Sequence, residues 1–223
     1  MARLAEVREE TASAQTLAFD VEGWPGHLAG QHVDVRLTAE DGYSTQRSYS
    51  IASTVDGERV ELTVQRVVDG EVSPYLVDVL KVGDPLEMRG PVGGYFVWRP
   101  ANTAPVLLVA GGSGVVPLMA MIRARAAARS RVPFRLIYSA RTADDVIYAS
   151  ELRRLPGGVD VAYVHTRVLG RRIGVADVNT HGWPASFEPD CFVCGPTGFV
   201  ETVADILVAL GHDPRRVKTE RFG

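Results

Sequence analysis

Two patterns of apolar and polar positions divide the chain near residue 100. Before it, short runs that alternate apolar with polar residues are separated by turns such as Glu40–Asp41–Gly42 and Val55–Asp56–Gly57. This spacing is typical of antiparallel strands in a barrel or sandwich. The strands predicted in this way are HVDVRL, QRSYSIAS, RVELTVQRVV and DPLEMRG. A short helix capped by Ser73 is predicted in SPYLVDVL, with one side formed by Tyr75, Leu76, Val79 and Leu80.

After the Pro/Asn-rich stretch Arg99–Ala104, continuous apolar runs alternate with helical patterns. The predicted strands are PVLLVAGG, FRLIYSA, VDVAYVHT and CFVCGP. The predicted helices are a stretch from about Val116 to Arg129, a short one near SELRRL, and TGFVETVADILVAL. This alternation predicts a parallel α/β sheet. We therefore expect two domains, a β-barrel over residues 1–100 and an α/β domain over residues 101–223.

Composition narrows the class of protein. The 223 residues are 46% hydrophobic and 23% charged, an ordinary globular balance, and the net charge of −3 gives no basic surplus for binding nucleic acid. The apolar run Ala104–Ala110 is far shorter than the ~20 residues of a membrane span, and MARLAEVREE lacks the apolar core of a secretory signal. Two cysteines exclude a disulfide framework and a four-thiolate iron–sulfur cluster. We expect a cytoplasmic protein that is not inserted in a membrane and holds no metal.

The junction between the first parallel strand and its helix has the glycine pattern of a phosphate site. Gly112, Ser113, Gly114 and Pro117 form Gly-x-Gly-x-x-Pro, which differs from the full dinucleotide fingerprint in its last residue. Glycines let backbone N–H groups approach a phosphate, and the helix N-terminus adds a partial positive charge. A tight turn with a purely structural role is the alternative.

The end of the next strand bears on the choice of nucleotide. Ser139 and Arg141 lie there, and no carboxylate follows until Asp144. An acidic residue in this region binds the ribose hydroxyls of NAD, whereas arginine suits the 2′-phosphate of NADP. Arg167, after the following strand, could add a second donor. The pattern favours NADPH over NADH, and two solvated loop arginines are the alternative.

The two cysteines lie in CFVCG, a spacing that invites a zinc or redox interpretation. Two thiols are too few for a structural zinc site, and three positions along a strand place Cys191 and Cys194 on opposite faces. We expect Cys191 to pack in the core. Cys194 precedes Gly195 and Pro196 at the carboxyl end of its strand, the edge at which open α/β sheets bind ligands.

The first half offers a second candidate site in RSYSIAS. Arg47 and Tyr49 share one face of an extended strand, which places a phosphate-binding fork beside an aromatic ring, with hydroxyls from Ser48 and Ser50. A solvated contact between the arginine and the tyrosine is the alternative. The stretch from Gly70 to Ser73 leads into the short helix and gives a second anion site at a helix start.

Six segments, in their order and spacing, resemble the ferredoxin–NADP⁺ reductase superfamily over essentially the whole chain: RSYSIAS, GEVSPYL, GPVGGYF, AGGSGVVPLMAM, CGPTGFVE and the terminal ERF. The resemblance implies an FAD-binding barrel followed by an NAD(P)-binding α/β domain, with the flavin at their junction. One departure is Ser113, where the family more often has threonine.

The resemblance also implies roles for individual residues. Arg47 matches the arginine of the flavin pyrophosphate, Tyr49 the aromatic beside the isoalloxazine, and Ser50 the hydroxyl near its reactive nitrogen. Strand periodicity does not place Ser50 on the side of Tyr49, so that role depends on the resemblance alone. Flavin phosphate and adenine-side contacts are implied for Arg66, Val72 and Ser73. The segments that border the nicotinamide and the flavin face are Gly112–Gly114, Cys194–Pro196, Glu220 and Phe222.

The implied activity is transfer of a hydride from NAD(P)H to FAD, and then of electrons to a separate acceptor such as a ferredoxin, a haem protein or a small molecule. The implied catalytic residues are Ser50, Cys194, Glu220 and Phe222. Because the sequence ends one residue after Phe222, no iron–sulfur domain is expected. We also expect a monomer. The alternatives are a non-catalytic module that responds to nucleotide or flavin, and a flavin-free dehydrogenase. The latter leaves the barrel and its Arg47–Tyr49 pair without a purpose.

Overall fold

A computed structural model describes residues 1–155 and 157–222. The first part of the chain forms one antiparallel sheet of six strands in the order β4-β3-β6-β1-β2-β5. The two outer strands meet through a bridge between Ile51 and Leu62, and the Ala52 N–H donates to the Glu61 carbonyl. The sheet therefore closes as the predicted barrel. Its strands are Ala2–Thr11 (β1), Ala14–Val21 (β2), His32–Thr38 (β3), Ser44–Ser50 (β4), Arg59–Gln65 (β5) and Pro85–Val92 (β6).

The first hairpin of the barrel, β1 and β2, was not predicted from the sequence. In β1 only Ala2 and Leu4 are buried, and the rest of ARLAEVREET is rich in charged residues on the outer side. The register with β2 also shifts after Leu4, which interrupts the alternation of inward and outward positions. A strand with so few buried positions gives a weak periodic signal.

The short helix after β5 differs from its prediction. It begins at Val72 as a single α-helical turn, Val72–Pro74 (α1), and continues as a π-helical turn, Tyr75–Val79. Ser73 does not cap it, because its hydroxyl accepts a hydrogen bond from the Val67 N–H at 3.1 Å. Leu76 and Leu80 are buried as expected, but Val79 is 54% exposed, since the wider π-turn changes which residues share a face.

The second part forms a five-stranded parallel sheet in the order β11-β10-β7-β8-β9. Its strands are Val106–Gly111 (β7), Phe134–Ala140 (β8), Val159–His165 (β9), Asp190–Pro196 (β10) and Val217–Phe222 (β11). The helices around it are Val115–Ala127 (α2), Ala149–Leu152 (α3), Thr166–Leu169 (α4), Val175–His181 (α5) and Thr197–Ala209 (α6). Short 3₁₀ turns lie at Gly112–Gly114, Ala143–Asp145, Ala185–Phe187 and Pro214–Arg216. The predicted α/β architecture is confirmed, although α4, α5 and β11 were missed.

The segment between the sheets packs on the second one. Phe96 meets Phe192 edge to face with ring centroids 5.5 Å apart, and Trp98 meets Phe134 in the same way at 5.2 Å. Such edge-to-face pairs stabilise a contact beyond the apolar area they bury. Within the described residues, no helix has both the length and the apolar character needed to cross a membrane.

Candidate functional site at the junction of the two sheets

The RSYSIAS segment forms the end of β4 and its exit. Arg47 and Tyr49 pair in register with Val35 and Val33 of β3, so they lie on the same side of β4. Arg47 is exposed, and its guanidinium donates to the neighbouring Gln46 carbonyl at 2.7 Å. Tyr49 is half-buried, and burial raises its pKa to about 12 while Arg47 opposes that rise. An arginine and a protonated aromatic side chain thus lie beside each other at the junction.

The other predicted residues of the barrel already have partners. The Ser48 hydroxyl donates to Asp34 at 2.6 Å. Arg66 forms an exposed ion pair with Asp78 at 2.6 Å. Gly70 lies in the turn before α1, where its N–H donates to the Val67 carbonyl. Val72 is buried in the barrel core and Ser73 is buried beside it, so contacts within the protein hold the α1 segment in place.

The glycines of the second part bring two loops into contact. Gly112 has a φ of +56°, a conformation that favours glycine. A Cβ on Gly114 would lie 2.1 Å from the Cys194 carbonyl oxygen, so only glycine permits this approach. The Phe199 ring packs against Gly111 and Gly195, at 2.8 and 2.7 Å from the Cβ positions that those glycines lack. The Gly112–Gly114 loop, with a half-buried Ser113, therefore lies directly against the Cys194–Gly195 end of β10, and Pro196 is exposed beyond it.

The two cysteines lie on opposite faces of the sheet, as predicted. Cys191 is fully buried among Leu107, Val109 and residues of α6, whereas Cys194 belongs to the core on the α2 side. Both thiols are free. Burial and the nearby Glu220 carboxylate raise the pKa of the Cys194 thiol well above its ordinary value, so it is a protonated thiol at neutral pH.

Three predicted catalytic residues meet where the two sheets join. Cys194 and Glu220 are register partners on β10 and β11, and the Ser50 hydroxyl donates to Glu220 Oε1 at 3.5 Å across the junction. The other carboxylate oxygen, Oε2, is buried and has no hydrogen-bond partner within the described part of the chain. Burial raises the pKa of Glu220 to about 7, although the Ser50 hydrogen bond lowers it. Phe222, the fourth residue, pairs in register with Pro196 and is 38% exposed.

The residues predicted to contact the nucleotide ribose lie at the carboxyl ends of β8 and β9. Ser139 is buried at the end of β8, Arg141 is exposed in the loop that follows β8, and Arg167 is exposed in α4, directly after β9. The Arg167 N–H donates to the Arg141 carbonyl at 2.9 Å, which holds the loop after β8 against α4. The Arg141 guanidinium pairs with Asp145 at 2.8 Å.

Two residues of this site were missed by the sequence analysis. Phe199 lies beneath both glycine loops, and Asp34 accepts from Ser48. Phe199 follows the start of α6 by two positions, and nothing in that pattern separates it from an ordinary apolar helix residue. Asp34 is a polar residue inside a predicted strand, and its alternation with the buried Val33 and Val35 only indicated an outward position.

Two family models match successive parts of the chain. Residues 2–97 match the family model described as "Oxidoreductase FAD-binding domain", and residues 108–205 match "Oxidoreductase NAD-binding domain". Ferredoxin–NADP reductase B of Sorangium cellulosum is 34% identical over 99% of this chain and 96% of its own length. The glycine betaine monooxygenase reductase subunit of Pseudomonas aeruginosa is 31% identical over 100% of this chain, which spans 64% of that relative's length.

Solved structures show the same two-part fold. The flavohem-like FAD/NAD binding domain of nitric oxide dioxygenase from Vibrio cholerae superposes with a TM-score of 0.86 at 25% identity, covering 100% of this chain and 98% of that domain. Together with a reductase that this chain covers almost from end to end, the two domain matches show that the protein belongs to the ferredoxin–NADP reductase family of FAD- and NAD-binding oxidoreductases.

Proposed function

We propose that this protein transfers electrons from NAD(P)H through FAD to a separate acceptor, such as a ferredoxin, a haem protein or a small molecule. The observation that carries the proposal is the meeting of Ser50, Cys194 and Glu220 between the Arg47–Tyr49 pair and the Gly112–Gly114 loop. In this proposal the FAD-binding domain comprises residues 1–100 and the NAD(P)-binding domain residues 101–223. The names of the relatives, which are reductases, favour an enzyme over a regulatory module.

The residues present fit an FAD on the barrel side. The Arg47 guanidinium is exposed and suits a pyrophosphate, and the half-buried Tyr49 ring suits the flat face of a flavin. The buried Glu220 Oε2 has no partner among residues 1–155 and 157–222, and a bound ligand could supply one. Further contacts would come from Arg66 and the segment from Gly70 to Ser73. The ion pair of Arg66 with Asp78 is exposed on both sides, and such pairs contribute little, so a phosphate could replace the carboxylate.

The residues of the α/β side fit the dinucleotide. Backbone N–H groups of the Gly112–Gly114 loop, with Ser113, would face the pyrophosphate, and the Cys194–Pro196 loop would border the nicotinamide. Ser139, Arg141 and Arg167 would contact the ribose end, where two arginines, with no carboxylate after β8 until Asp144, favour NADPH. Phe222 would cover the flavin until the nicotinamide displaces it.

Bound FAD supplies the redox chemistry, since a flavin accepts a hydride from a nicotinamide and can pass electrons on. The chain's own contribution is to orient the two ligands, exclude water and hold a proton. Glu220 is suited to the last task, because a carboxyl with a pKa of about 7 can take up or release a proton at neutral pH. Ser50 holds that carboxyl in place through Oε1, and the neutral thiol of Cys194 adds no charge beside it.

The test is reduction of the purified protein loaded with FAD. We expect a yellow protein that anaerobic NADPH bleaches faster than NADH does, and that then reduces ferricyanide. A protein that takes up no FAD overturns the proposal. A protein that holds FAD and nucleotide tightly but reduces no acceptor favours the regulatory module.

A further inference from the structure

A second polar contact, separate from the Ser50–Glu220 hydrogen bond, joins the two parts of the protein. Its central residue is Tyr148, which precedes α3 and is only 3% exposed. Tyr148 has a φ of +62°, in the left-handed backbone region that residues other than glycine and asparagine seldom adopt. The surrounding structure must hold it there, and the holding contacts come from the barrel.

A closed ring of hydrogen bonds ties Tyr148 to three barrel strands. The Glu10 carboxylate accepts from the Thr16 hydroxyl at 2.7 Å and from the Tyr148 N–H at 3.3 Å. Because an ionised carboxylate only accepts, Thr16 is a donor there and must accept from Thr63, 2.8 Å away. Thr63 in turn accepts from the Tyr148 hydroxyl. Each hydroxyl proton in the ring makes one hydrogen bond. The order of donors and acceptors around the ring follows from the Glu10 carboxylate, which only accepts.

Arg123 makes the other half of the contact. Two of its nitrogens donate to Glu151, at 2.9 and 2.5 Å, and its guanidinium lies 4.6 Å from the centre of the Tyr148 ring. Its remaining nitrogen crosses to the barrel and donates to the Ala52 carbonyl at 2.7 Å. Ala52 lies two residues after Ser50. The guanidinium therefore holds the backbone at the exit of the RSYSIAS strand.

The helix that carries Arg123 begins at the glycine loop. α2 runs from Val115, directly after Gly114, and Arg123 lies about 12 Å along its axis. One rigid element thus connects the loop against Cys194 to a fixed point on the barrel beside Ser50. A sliding movement between the two parts would leave buried hydroxyls and a guanidinium without partners, so the contact favours one arrangement.

We propose that Arg123 and Tyr148 are positioning residues that set the distance between the glycine loop and the end of β4. They act on the reaction by fixing the two ligand sites relative to each other, and they lie outside both proposed ligand sites. This inference rests on the proposed function, because its consequence is the placement of nicotinamide against flavin. We call the set Glu10, Thr16, Thr63, Arg123 and Tyr148 the interface clamp.

The test compares Arg123→Gln with a matched variant on the same helix, Arg125→Gln. Arg125 is 4% exposed, and its hydrogen bonds to described residues stay within its own part, at the Val132 and Gly157 carbonyls. Anaerobic stopped-flow measurements on FAD-loaded protein give the limiting rate constant of flavin reduction and the half-saturating nucleotide concentration. We expect Arg123→Gln to lower the limiting rate constant about tenfold or more, because small misplacements of reacting groups slow a reaction strongly. FAD affinity and half-saturation should stay within about twofold of wild type.

Two further variants keep the test valid if Arg123→Gln misfolds. They also distinguish an effect on the positioning of the ligands from a loss of folding stability. Tyr148→Phe keeps the ring and removes one hydroxyl, and it should lower the limiting rate constant several-fold. Arg123→Lys should recover part of the rate, because an ammonium can still donate to the Ala52 carbonyl but cannot form the fork with Glu151. Arg125→Gln should lower the melting temperature and leave the rate constant within about twofold. Amide exchange at Tyr148 should accelerate in Arg123→Gln and Tyr148→Phe alone.

The possible results distinguish failure of the interface clamp from failure of the proposed function. A wild-type protein that neither nucleotide reduces overturns the proposed function, and the role of the clamp in that reaction with it. If wild type is reduced, unchanged rate constants in Arg123→Gln and Tyr148→Phe overturn the clamp alone. An equal loss of rate in Arg125→Gln also overturns it, since the effect would then follow general stability.

Discussion

Replacing Glu220 by glutamine tests the buried carboxyl at the junction through the stability of the protein. Burial raises the pKa of Glu220 from its ordinary 4.5 to about 7 in the folded chain, whereas the unfolded chain keeps the ordinary value. The folded state therefore holds this proton more tightly than the unfolded state does. The resulting stabilisation is complete below pH 4.5 and is lost as the pH rises through 7, when the buried carboxyl must ionise.

The size of the effect follows from the two pKa values. A rise from 4.5 to about 7 corresponds to about 3 kcal/mol of unfolding free energy between acid and neutral conditions. For a chain of this length that is a difference of about 6 to 12 °C in melting temperature. Glutamine has nearly the same shape and never ionises, so Glu220→Gln should remove this part of the pH dependence.

The assay is thermal unfolding of the flavin-free protein between pH 4 and pH 8 at constant ionic strength. Wild type and Glu220→Gln should unfold at similar temperatures near pH 4, and the variant should become the more stable protein towards pH 8. Glu201→Gln, at an exposed position on α6, is the control and should follow wild type. If the melting temperatures of wild type and Glu220→Gln changed with pH in parallel, the argument that ionisation of this buried carboxyl destabilises the fold would be refuted.

Three further changes test other parts of the site. Arg141→Ala should raise the Michaelis constant for NADPH about tenfold and that for NADH much less, which steady-state kinetics with both nucleotides measures; equal effects would count against a contact with the 2′-phosphate. Phe222→Ser should lower the Michaelis constant for NADH without releasing FAD, and loss of FAD with no gain in nucleotide binding would contradict a shielding role. Gly114→Ala should destabilise the fold by about 2–3 kcal/mol, because its methyl group would overlap the Cys194 carbonyl. Gly198→Ala, with open space around it, should be neutral in the same denaturant titration.

Three strands of the parallel sheet were predicted from continuous apolar runs that correspond to nearly complete burial. Every residue of β7 is buried, and β8 and β10 are buried almost throughout, so each appears in the sequence as a continuous apolar run. β11 is an edge strand with one buried residue, Val217, and VKTERF carries no such run. Burial alone did not decide the outcome. The other edge strand, β9, also has one buried residue but was predicted, whereas β2 is largely buried and was missed.

The sequence indicated individual candidate residues of the site but did not indicate which of them contact each other. Glycines and arginines at strand ends indicated where anions could bind, because those positions follow from local geometry. The Ser50–Glu220 hydrogen bond joins residues 170 positions apart. No spacing rule brings such residues together, and the resemblance supplied their roles without their contact. The interface clamp was missed for the same reason, since Tyr148 meets Glu10 across 138 positions.

Three of the four arginines proposed to bind the flavin and nucleotide phosphates differ in the partners that a phosphate would have to replace. Arg66 and Arg141 are paired with Asp78 and Asp145, so a phosphate at either one must replace a carboxylate. Within the described part of the chain, the hydrogen bonds of Arg47 go to a backbone carbonyl and to the Thr45 hydroxyl. Neutral acceptors are weaker partners for a guanidinium than a phosphate is. We therefore expect Arg47 to gain the most on binding an anion, and we propose it as the principal phosphate anchor of the barrel, with Arg66 as a secondary one.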